Sequence, residues 1–122
     1  ILTENYEKLA LGSLIDGLGF GNCSTTLGHA LSYVFSNEGY SHGHALAFTT
    51  TVSHKFNKSI FYTRFKNLVE KMQFEKITLQ EDINNATETI LLDKKHLDNN
   101  PTDVKKEDII LLLKKILNNE LD

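Results

Sequence analysis

The sequence has one cysteine and one proline in 122 residues, and its longest apolar run is about five residues, Ile109 to Leu113. A lone cysteine excludes an internal disulfide framework and a cysteine-rich zinc module. Five apolar residues fall far short of the roughly 20 that span a bilayer. No cationic stretch followed by an apolar one opens the chain, so no signal peptide is read there. A cytoplasmic protein without a membrane partner is expected. Surplus positive charge is missing too: 13 Lys and Arg stand against 16 Asp and Glu, a net charge of -3. A nucleic-acid binder needs cations to neutralise phosphates, so no nucleic-acid partner is expected. At 40% hydrophobic and 24% charged residues the composition is globular, and the length allows one domain at most.

What is present is unevenly placed. Residues 1–54 hold five charged side chains, Glu4, Glu7, Lys8, Asp16 and Glu38, while the remaining 24 lie in 55–122. All seven glycines lie between Gly12 and Gly43. The first half therefore reads as an interior with close backbone approaches, the second as a solvated jacket.

Helical spacing dominates and no segment alternates like a strand, so the fold class is all-α, a bundle of about six helices. Thr3 can cap a first helix to about Phe20, with Tyr6, Leu9, Ala10, Leu14 and Ile15 as its apolar positions and Gly17, Gly19 and Gly21 loosening its end. A second runs from Ser24 to Phe35 with Leu27, Leu31, Val34 and Phe35 inward. After turn residues 36–41, a third runs from Ser41 or His42 to about Phe56, although Thr49-Thr50-Thr51-Val52 has poor helix propensity. A fourth, Ser59 to Met72, places Ile60, Phe61, Phe65, Leu68, Val69 and Met72 on one side. Thr78-Leu79-Gln80-Glu81 reads as a capping box opening a fifth, with Leu79, Ile83, Ala86 and Ile90 inward. Asn99-Asn100-Pro101 breaks the chain, and a sixth helix from about Lys105 to Asn119 buries Ile109, Leu112, Leu113 and Ile116. The sequence starts at Ile1, directly in a helix, which processing or a place inside a longer chain explains equally well.

Five histidines carry the candidate chemistry. His96, in a polar stretch beside Lys95, reads as a solvated loop residue. His54, near the end of the third helix, reads as a surface residue facing the C-terminal dipole. His29 and His42 are different. Twelve residues separate them, one on the second helix and one at the start of the third, across a tight turn. Two antiparallel helices so joined can aim both imidazoles at one point, which suits a divalent metal. A pair of core histidines satisfied by backbone carbonyls is the plainer account, and spacing alone leaves both open. His44, two residues on, faces elsewhere on a helix and suits a second layer around the site; Tyr33 and Tyr40 can line a pocket or simply pack. Cys23, just before the second helix, reads as a buried structural thiol.

The run His29-Ala30-Leu31-Ser32-Tyr33, a short turn, then His42-Gly43-His44-Ala45-Leu46-Ala47, resembles the iron-containing (group III) alcohol dehydrogenases. Leu9-Ala10-Leu11-Gly12-Ser13 with Gly17 and Asn22 is similar to the family's small-residue helix before its first histidine, and Asn100-Pro101 with Asp108-Ile109 to its C-terminal end. The resemblance implies an N-terminal α/β domain that binds NAD or NADP, and a C-terminal all-helical domain that binds a divalent metal, Fe2+ or Zn2+. It implies one Asp and three His as metal ligands, of which His29 and His42 match two. The other two ligands, and the glycine-rich nucleotide loop, would lie upstream of position 1. On this reading residues 1–122 are a single helical domain, a C-terminal fragment that is inactive by itself, and the substrate is a small alcohol or aldehyde.

Three departures stand out. Ser41 replaces the family's usual proline, the turn is about one residue short, and Tyr33 stands where many members have a further histidine. The related dehydroquinate synthases and glycerol dehydrogenases share such a domain; in a synthase-like register a ligand would fall at Thr25, a poor donor, whereas Ser32-Tyr33 and His44-Ala45 fit the dehydrogenase register. A reading from another class is a non-catalytic helical module whose apolar surface forms a homodimer.

Overall fold

The structure, a computed structural model, describes residues 5–12, 14 and 26–121. These are helical with no strand among them: α1 over residues 5–12, α2 (Leu27–Ser36), α3 (His42–Phe56), α4 (Tyr62–Met72), α5 (Ile83–Leu91), α6 (Lys94–Asp98) and α7 (Lys106–Leu117). The all-α expectation holds. No helix among them is long and apolar enough to cross a membrane. The Thr3 cap, Ile15, the Gly17-Gly19-Gly21 run, Phe20, Cys23, the Ser24 start and Thr25 lie outside the described residues.

The α2–α3 hairpin is the centre. α5 and α6 pack along α2, α4 and α7 along α3, and α5 meets α7 to close the bundle. Leu27, Leu31, Val34 and Phe35 are buried as the spacing requires, and so are Ile109, Leu112, Leu113 and Ile116 of α7. Each such side chain contributes about 1.5–3 kcal/mol on leaving water. In α3 burial overrides propensity: Thr49 and Thr51 are fully buried, and the Thr51 hydroxyl donates to the Ala47 carbonyl at 2.6 Å, satisfying itself inside the helix.

Three expectations need correction. Of the expected fourth-helix face only Val69 is buried and Phe65 half-buried; Ile60 (90% exposed) and Phe61 precede α4 and, with Leu68 and Met72, face out. The six apolar positions wrap more than one helix face, and among the described helices α3 is the main neighbour of α4. Tyr6 and Leu9 of α1, and Leu14, are exposed. The capping box at Thr78 does not form. Asp82 caps α5 instead, accepting from the Asn84 and Asn85 N–H groups at 3.0 and 3.4 Å, because the Thr78 and Glu81 amides are taken by Tyr40 and Glu38.

Candidate metal centre

The hairpin is tight because Gly28 has no side chain. A Cβ there would sit 3.0 Å from the Thr50 Oγ1 and 3.3 Å from its Cα, so α2 and α3 cross closely one residue before His29. The connection turns at Gly39, whose φ of 106° suits glycine, and Ser41 caps α3 by accepting the His44 N–H at 3.3 Å. His42 is the first residue of α3.

This arrangement brings the two imidazoles together. The ring centroids of His29 and His42 lie 5.4 Å apart, the planes tilted by 53°. An imidazole bound about 2.1 Å from a divalent ion puts its centroid about 3 Å away, so two rings on one tetrahedral ion lie about 5 Å apart. The 5.4 Å ring separation matches that spacing. The set is partial: among the described residues no group of three His, Cys, Asp or Glu side chains is placed to hold an ion. Burial, and then the positive charge that His42 and His96 would carry, hold the His29 pKa below its ordinary 6.5. Near neutral pH His29 is therefore uncharged, the form in which imidazole ligates.

Tyr33, one turn beyond His29, lies 6.3 Å from His42, ring to ring, and 5.7 Å from His96. His96 is the residue that sequence reasoning missed. It is no solvated loop side chain: α6 packs on α2, and the His96 ring lies 6.1 Å from that of His29, within 8° of parallel. Its Nδ1–H donates to both Asp93 carboxylate oxygens at 2.7 Å. The signal in the sequence is the Asp93-Lys94-Lys95-His96 spacing, which puts an N-cap carboxylate under an imidazole three residues on.

His44 stands apart from this cluster. Two residues after His42 it points about 200° around the helix. Its ring lies 5.4 Å from Phe74, 5.5 Å from Tyr40 and 5.8 Å from Phe48, and its Nε2–H donates to the Glu75 carbonyl at 2.5 Å. It packs a turn of chain; it lines no pocket with Tyr33. His54, expected at the surface, is half-buried with its ring 5.1 Å from Phe65, and burial lowers its pKa. The turn before His42 is tied down from outside the hairpin. The Glu38 carboxylate accepts the Gln80 and Glu81 N–H groups at 2.6 and 3.0 Å, and the Tyr40 hydroxyl accepts the Thr78 N–H at 2.9 Å. Tyr40 thus serves packing.

Comparisons with known proteins identify the family. The sequence profile of the Fe-containing alcohol dehydrogenase family, C-terminal, matches residues 3–92. Two 3-dehydroquinate synthases of Clostridium perfringens, from strain SM101 / Type A and strain 13 / Type A, are each 35% identical over 115 residues, covering 88% of this chain and 31% of their own. The chain thus spans about a third of the length of these curated relatives. No solved structure matches it. The matched segment contains α2, α3, His29 and His42, and the chain belongs to the Fe-containing alcohol dehydrogenase family, as its C-terminal, all-helical part.

Proposed function

We propose that residues 1–122 are one helical domain of a longer, NAD(P)-dependent alcohol dehydrogenase, and that His29 and His42 hold two positions of its divalent cation, Fe2+ or Zn2+. The single observation behind this is the 5.4 Å approach of the two rings from facing helices. When bound, the cation supplies Lewis-acid polarisation of an alcohol or aldehyde oxygen. This chain does the positioning. Gly28 sets the helix separation, Ser41 and the Glu38 and Tyr40 bonds set where α3 begins, and burial keeps His29 unprotonated. His42 and Tyr33 are exposed, so the side of the cluster away from the core is open to a small substrate. The remaining ligands and the dinucleotide site belong, in this proposal, to the rest of a longer, cytoplasmic enzyme, which accords with the third of a relative's length that this chain spans.

The 122-residue chain alone is expected to show no alcohol-dependent reduction of NAD or NADP, and turnover by it would contradict the proposal. A second reading has its own support: both relatives are named 3-dehydroquinate synthase. The same domain would then serve a synthase. Assaying the longer enzyme for alcohol oxidation and for 3-dehydroquinate formation side by side separates the two.

A further inference from the structure

We infer that His96, oriented by Asp93, is a substrate-binding residue of this site and accepts a hydrogen bond from a hydroxyl of the substrate. The inference rests on reading His29 and His42 as cation ligands and adds a residue that lies beyond the family-matched segment 3–92. Three observations carry it. The first is position: the His96 ring lies 6.1 Å from that of His29 and 5.7 Å from that of Tyr33, which itself lies 6.3 Å from His42. The second is its bond. Both oxygens of Asp93 lie 2.7 Å from Nδ1, so in the neutral ring Nδ1 carries the hydrogen and Nε2 is a bare acceptor. The third is burial. The side chains of His96 and Asp93 are 13% and 23% exposed, so this charge-assisted bond is largely shielded from water and holds the ring in one orientation.

Capping does not account for the pair. Asp93 accepts the His96 backbone N–H at 3.4 Å, near the limit of a hydrogen bond, and gives its short contacts to the ring. A bare ring nitrogen backed by a carboxylate selects among ligands by chemistry. It accepts from an alcohol or from the hydrate of an aldehyde, which have a hydrogen to give.

Long-range 1H–15N NMR of the chain reads the tautomer directly. His96 is expected as the Nδ1–H form, and Asp93→Asn should turn it over, since an amide can donate to Nδ1. In the longer enzyme, Asp93→Asn and His96→Ala should each raise the alcohol KM about tenfold, with kcat and metal content changed less than about twofold, the loss of one buried hydrogen bond. A wild-type Nε2–H tautomer, an unchanged KM in both variants with wild-type thermal midpoints, or loss of metal from Asp93→Asn would overturn the inference. His42→Ala is the separate check on the reading beneath it: full metal content in that variant sinks the ligand assignment, whatever His96 does.

Discussion

His42 and His44 stand two residues apart on one helix and have opposite surroundings. His44 is ringed by Tyr40, Phe48 and Phe74 and gives its Nε2–H to a carbonyl, so its ring is consumed by packing and by closing the 74–82 segment onto the hairpin. His42 is exposed and meets the half-buried His29 and the exposed Tyr33. The residue type is the same; the helix face decides. On the proposed reading one histidine serves stability and the other ligation, so each should be removable without the other.

Removing them one at a time tests that division. His42→Ala should lower metal affinity of the longer enzyme about a hundredfold or more, visible by elemental analysis after dialysis, while costing under about 1 kcal/mol of stability because the ring is exposed. His44→Ala should do the reverse. It loses a hydrogen bond and the packing of three aromatic neighbours, about 2–3 kcal/mol in urea denaturation, with metal content unchanged. Gly28→Ala touches both sides of the comparison. Its Cβ would press on Thr50 at 3.0–3.3 Å. Overpacking of about 1–3 kcal/mol is partly offset by the better helix propensity of alanine, about 1 kcal/mol. A modest net loss in denaturation is expected, together with weaker metal binding as His29 shifts; a full-strength metal site would show that helix spacing does not set the pair.

The smallest effect is in pH. Burial lowers the pKa of His54 from 6.5, and burial with neighbouring charge lowers that of His29. The unfolded chain takes up protons near 6.5 that the folded chain refuses. The contribution is therefore complete above 6.5 and lost as pH falls through it toward the folded pKa values. His54→Gln should flatten the fall in thermal midpoint between about pH 7 and about pH 5, without changing metal content. An unaltered slope would place the titration elsewhere.

Much of this was readable in the sequence because it is local. The inward faces of α2 and α7, the start of α3 at His42 and the approach of His29 follow from helical spacing and a short turn. What was not readable depends on partners far along the chain. His96 is 54 residues from His42, and it joins the cluster because α6 packs on α2. The cap of α5 moved from Thr78 to Asp82 because Tyr40 and Glu38, 38 and 42 to 43 residues away, take the intervening amides. The buried face of α4 is not legible in the sequence because an apolar stripe says what can be buried, and the neighbours say what is.

The central claim is that one cation lies between His29 and His42. Anomalous diffraction from crystals of the chain soaked in zinc tests it most directly. The account predicts a single strong peak within about 2.1 Å of a nitrogen of each ring. A peak at His44 or His54, or none between the two rings at saturating zinc, would contradict it.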